Sequence, residues 1–157
     1  MMRRTILPLM IIFTIFTLIQ CEVDDICTEE VLTPRLNIKF YDANESDDTE
    51  LSVSNLTVWA EEKDLLYDGS TADTILLPLN PYAVQTVYIL KKDAIIDTVK
   101  INYTVTPVFV SRSCGYKYNF TLEAIPEYTK HWINALELIE QPQQVEDEKL
   151  THIKIYH

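Results

Sequence analysis

The chain has 157 residues, and its 24 Asp and Glu against 13 Lys and Arg give a net charge of −11. That balance argues against a nucleic-acid partner, because phosphate backbones demand clustered Lys and Arg. The length suits one domain, which even without its first 20 residues is large enough to bury roughly two-thirds of its unfolded surface.

In chain order, Arg3 and Arg4 come first, followed by an apolar run from Thr5 to Ile19 and then Cys21. The run is too short and wrongly flanked for a spanning helix, which needs about 20 apolar residues. The pattern reads as a bacterial lipoprotein signal, with lipid on Cys21 as the anchor. At about 0.8 kcal/mol per buried methylene, several acyl chains on one cysteine leave essentially no free population. Gln20 departs from the Gly, Ala or Ser usual before such a cysteine. A plain secretory peptide cut near Gln20 and a retained N-terminal anchor therefore stay open. Glu22, Asp24 and Asp25 follow at once. They resemble the surface-export signal of Bacteroidota lipoproteins, and a solvated tether is the alternative. The expected division is a signal peptide over 1–20, an acidic tether over 21–32 and a domain over 33–157. The expected address is the cell envelope, lipid-anchored in the outer membrane and surface-exposed. The chain beyond the signal keeps 11 basic and all 24 acidic residues, a charge of −13. Such a surface avoids anionic head groups, so attachment is expected from the lipid.

Further along, hydrophobic period two predicts strands. Leu36, Ile38 and Phe40 alternate with Asn37, Lys39 and Tyr41; Val99, Ile101, Tyr103 and Val105 alternate with polar neighbours; Tyr116, Tyr118, Phe120, Leu122 and Ala124 do so again. Other β-like runs lie at 52–60, 73–79, 84–91, 133–139 and 150–156, giving about eight strands. Turn or acidic segments at 42–50, 61–64, 68–70, 79–82, 91–94 and 140–149 separate them. Residues 125–134 read as mildly helical, ahead of Trp132. There are only two glycines, so turns must rely on Asn, Asp and longer loops. The expected fold is all-β, an antiparallel sandwich.

With Cys21 acylated, Cys27 and Cys114 remain, an even pair in an oxidising space, and a disulfide is expected. The chain-entropy account gives a loop of this length about 4–5 kcal/mol. The segments Cys21-Glu-Val-Asp-Asp-Ile-Cys27, Thr33 to Asp42, Asn55-Leu-Thr-Val58, Val108-Phe-Val-Ser-Arg-Ser-Cys-Gly-Tyr116 and His152-Ile-Lys-Ile-Tyr-His157 together resemble a Bacteroidota family of small lipoproteins of unknown function. The resemblance implies location and carries no catalytic residues over.

Chemical motifs are sparse. Gly69 and Gly115 cannot form a phosphate-binding loop, and neither a nucleophile elbow nor H-E-x-x-H occurs. Asp42, Asn44 and Ser46 start like a calcium loop, but Asp47 and Val53 stand where Gly and Glu are needed. His152 and His157 are five apart and point to opposite faces of a strand, and His131 reads as a lone surface histidine. No metal or cofactor is expected. Arg112, near Cys114, suits a carboxylate or glycan, or an acidic neighbour such as Asp24 or Asp25. Trp59, Trp132 and the many tyrosines suit sugar stacking or, where alternation places them on strand faces, core packing. Sequons at Asn44, Asn55, Asn102 and Asn119 read as incidental. Asp73-Thr74-Ile75 and Asp97-Thr98-Val99 resemble the D-T-aliphatic O-glycosylation acceptor of Bacteroidota, at Thr74 and Thr98.

Three functions fit these residues. The first is a non-enzymatic envelope lipoprotein acting as an interaction or structural module, with the membrane and an envelope protein or glycan as partners. The second is a carbohydrate-binding accessory module. The third is a hydrolase whose site is dispersed in sequence.

Overall fold

The computed structural model describes Cys27, residues 32–45 and residues 47–157. The proposed signal peptide, Cys21, Glu22, Asp24 and Asp25 lie outside the described residues.

The described residues are all-β. Twelve strands form: β1 (Leu36–Tyr41), β2 (Val53–Ala60), β3 (Leu65–Ala72), β4 (Thr74–Leu77), β5 (Gln85–Lys92), β6 (Ile95–Asn102), β7 (Thr104–Ser111), β8 (Gly115–Leu122), β9 (Glu127–Tyr128), β10 (Ala135–Leu138), β11 (Gln143–Val145) and β12 (Ile153–Tyr156). They make three sheets, ordered β10-β12-β1-β4, β3-β2-β5-β6-β9 and β11-β8-β7. The pairings are antiparallel except that β1 and β12 run parallel, with Ile38 opposite Ile153 and Tyr41 opposite Tyr156.

One core joins the sheets. Leu36, Ile38 and Phe40 of β1 and Ile153 and Ile155 of β12 pack in one cluster with Leu56 and Val58 of β2, Tyr88 and Leu90 of β5, Val99 and Ile101 of β6, and Phe120 and Leu122 of β8. These are the inward positions of the period-two patterns, and their burial from water drives the fold. Strand β1 is buried on both faces except at Lys39. Its Asn37 exchanges hydrogen bonds with His152: the Asn37 amide donates to His152 Nδ1 (2.9 Å) and the His152 amide donates to Asn37 O (2.9 Å).

Twelve strands in place of about eight, and three sheets in place of two, have local causes. The pattern from Val99 to Val105 is not one strand. Tyr103 is a corner at which the chain leaves β6 for β7, its hydroxyl bonded to both Asn80 O (3.0 Å) and Asn80 N (3.1 Å). Alternation continues through a corner because side chains keep their phase while the hydrogen-bond partner changes. The segment 68–70, expected as a turn, lies inside β3, an edge strand with few buried side chains. Its Gly69 has φ +54° against a register shift in β2, where Asn55 has φ 51°; such bulges are where glycine serves a strand. The mild helix expected over 125–134 is absent. Residues Glu127–Tyr128 instead pair with β6, and the loop after them is held by Asp97. The acidic segment 140–149 contributes the short β11.

Candidate functional site

The feature that connects the domain to its N-terminal segment is the β7–β8 hairpin. Its turn runs from Ser111 to Gly115, with Ser111 Oγ accepting from the Cys114 amide (3.0 Å) and Gly115 at φ +74°, a conformation that favours glycine. Cys114 is bonded to Cys27, with their Cα atoms 4.9 Å apart, so the expected disulfide is present. A second tie lies further along the same strand, where the Tyr118 amide donates to Thr33 Oγ1 (3.2 Å). The chain thus meets the hairpin twice, its turn at Cys27 and β8 at Thr33, before it enters the core as β1.

The face of the hairpin changes character along its length. Phe120 and Leu122 of β8 are buried, but the same alternation carried outward gives Tyr118, half-buried, and Tyr116, exposed. Opposite them on β7 stand Pro107 and Phe109. Phe109 and Tyr116 meet edge to face at 5.3 Å, and Tyr82 meets Tyr118 at 6.1 Å. Arg112 is exposed at the tip. Its suggested partners, Asp24 and Asp25, lie outside the described residues.

A second cluster was not foreseen. Asp97 on β6 is fully buried and accepts from Thr129 Oγ1 (2.6 Å), the amides of His131 (2.9 Å), Trp132 (2.7 Å) and Ile133 (2.9 Å), and His131 Nδ1 (2.8 Å). Burial alone pushes its carboxyl up, but the donated hydrogen bonds outweigh it and hold the group at about 2. Asp97 shares the inward phase of Val99 and Ile101. A carboxylate at an inward strand position must find donors, and that was the legible signal. With its oxygens committed to these donors and no exposure, Asp97 orders the 129–133 loop and is poorly placed to accept a substrate's proton. No hydroxyl or thiol among the described residues hydrogen-bonds His131.

The histidines stay apart in role. His152 is buried against Asn37, His131 is exposed beside Asp97, and His157 packs edge-on to Phe40 and Trp132. Lys92 Nζ donates to His157 Nδ1 (3.1 Å), so Nε2 carries the proton given to Leu51 O (3.1 Å). Among the described residues no three His, Cys, Asp or Glu side chains are grouped to hold a metal. Trp132 is buried and donates Nε1–H to Leu90 O (3.1 Å), while Trp59 is half-buried on the outer face of the five-stranded sheet, opposite Ile89. Thr74 opens the edge strand β4, and Thr98 on β6 has its amide bonded to Thr129 Oγ1 (2.9 Å). Both are half-buried, and Asp97, which precedes Thr98, is buried as described. A hollow of about 450 Å³, lined by Glu61, Leu66, Leu79, Thr86 and Tyr88 among others, lies beside the β2–β3 turn. Its Tyr88 hydroxyl donates to Pro78 O, and burial pushes that phenol up.

Among the described residues no helix is long and apolar enough to cross a membrane. Comparison with curated proteins and with solved structures gives no match. A family profile does match, over residues 55–157, a span that runs from within β2 through β12 and includes Cys114. The chain belongs to the family of unknown function DUF6452.

Proposed function

We propose that the chain is a non-enzymatic lipoprotein of the cell envelope, held in the outer membrane through lipid on Cys21 and presenting its β-domain as an interaction or structural module. The observation that carries this reading is the Cys27–Cys114 disulfide, six residues beyond the proposed lipid site. Disulfides persist in oxidising compartments, where a lipoprotein signal delivers its chain. The acidic residues Glu22, Asp24 and Asp25, and the resemblance to Bacteroidota lipoproteins, favour a surface-exposed position. Against a hydrolase stands the Asp97–His131 pair, whose carboxylate is occupied by five donors. Against a carbohydrate-binding module stands the burial of Trp132, which leaves the half-buried Trp59 as the one tryptophan open to stacking.

The test is the mass of the mature protein. It should begin at Cys21, carry acyl chains and partition into detergent, and Cys21→Ala should abolish processing or release the chain. Recovery of an unacylated, soluble wild-type protein would overturn the reading.

A further inference from the structure

The outer half of the β7–β8 hairpin is built unlike the rest of the domain. From Val108 to Tyr118 no residue is buried, although the segment is rich in Val, Tyr and Phe. The face that forms core at Phe120 continues outward into solvent, with Phe109 57% and Tyr116 59% exposed, and Tyr82, in ring contact with Tyr118, 86% exposed. An aromatic face left open in this way fits an apolar or interfacial partner. Charge narrows the choice. The hairpin, residues 104–122, contains Arg112 and Lys117 and no Asp or Glu, in a chain with 24 acidic residues. The hairpin itself carries no carboxylate to repel a phosphate.

The backbone disfavours a peptide partner. The Tyr118 amide points to Thr33, away from β7, so Tyr118 and Pro107 form a non-hydrogen-bonded pair and the N–H that Pro107 lacks would have faced the open edge of β7. A proline there blocks strand addition. Along β8, the opposite edge is met by Thr33 and by the disulfide partner of the tip. What remains open is the side-chain face. Tyr and other aromatics with basic neighbours are the composition that settles at a bilayer's interfacial zone.

Length supplies the last argument. Cys27 is bonded to the hairpin tip and lies six residues from Cys21, and six extended residues span at most about 20 Å. Resting on the reading that Cys21 is acylated, we propose that the hairpin tip docks on the bilayer that holds the anchor, with Phe109, Tyr116 and Tyr82 entering the interfacial zone and Arg112 at the tip meeting head-group phosphates. A zwitterionic surface suits the tip better than an anionic one, which the carboxylates of Glu22, Asp24 and Asp25 would repel. The domain is thereby fixed in orientation on the membrane, with its five-stranded sheet free for other contacts.

Two measurements test this. In the acylated chain reconstituted into phosphatidylcholine vesicles containing brominated lipid, the emission added by Phe109→Trp should be lost to quenching, while that added by Ile96→Trp, on the five-stranded sheet, should persist. Equal emission from both would overturn the proposal. In the chain from residue 21 carrying Cys21→Ser, which has no lipid, Phe109→Ser with Tyr116→Ser should weaken sedimentation with plain phosphatidylcholine vesicles by about tenfold or more. Unchanged sedimentation, or loss of a crosslink to an envelope protein with vesicle binding intact, would replace the bilayer by a protein partner. Both positions are exposed, and titration of free thiols verifies that the disulfide and the fold survive. An unacylated Cys21 alongside position-dependent vesicle binding would remove the anchor and leave the docking face.

Discussion

Asp97 accepts from three consecutive backbone amides, one hydroxyl and one imidazole, and so substitutes for the water it lost on burial. The amides belong to the loop that places Trp132 in the core, where its ring packs beside Phe40 and His157. Asp97→Ala would leave those amides without their acceptor, and the cost of each buried, unsatisfied donor is about 1–3 kcal/mol. Urea unfolding of that variant should register a loss of about 3 kcal/mol or more, with Asp97→Asn between it and wild type because one oxygen is retained. A loss below about 1 kcal/mol would mean that the loop orders itself without the carboxylate. The disulfide partners are different residues in kind: Cys27 and Cys114 were legible by counting cysteines, whereas Asp97 was hidden inside a D-T-aliphatic motif that drew attention to Thr98.

At the level of elements, strands with strong alternation were legible at near-correct bounds, as for β1, β2, β5 and β8. Apolar runs also marked β4, β10 and β12, whereas polar or very short strands went unread. Strand β3 is polar, exposed and bulged at Gly69, so neither burial nor composition marks it, and β9 and β11 are two or three residues long, formed because a neighbour offers an edge. The helical expectation over 125–134 failed because the loop's amides have a side-chain acceptor and need no helical carbonyls. The hairpin's exposed end was misjudged for the opposite reason: Tyr116 keeps the alternation of Phe120 although the core has ended. Since those alternating positions and not the crosslink specify the core, Cys27→Ser with Cys114→Ser should leave the far-ultraviolet spectrum unchanged while lowering stability by up to about 4 kcal/mol. Collapse of the β spectrum would show that the hairpin holds the sandwich together.

Across the whole molecule His152, His157 and Asp97 shift in the same direction, downward. Burial depresses both His152 and His157, the latter with help from Lys92, so the folded state prefers neutral imidazoles. An unfolded chain binds protons at these sites more readily, and their contribution, complete above the ordinary histidine value of 6.5, is lost as pH falls below it. Asp97 adds a second window, its stabilisation present above 3.8 and lost as pH falls toward about 2. Urea midpoints should therefore decline in two steps on acidification, the upper one removed by His152→Gln with His157→Gln. A midpoint flat between pH 7 and 5 in wild type would contradict this assignment. The parallel partnership of β1 and β12 reaches across the domain in another way, through time. Asn37 and His152 are 115 residues apart, yet they close the middle of the four-stranded sheet. Strand β1 can pair with β4 early, but its other neighbour, β12, is the last strand to be delivered, so the nascent chain cannot complete its core in the order of synthesis. Topologies dominated by such distant pairings fold slowly. Were the chain threaded through a membrane in extended form, as the proposed signal implies, that delay would leave one edge of β1 without its partner until transport was complete.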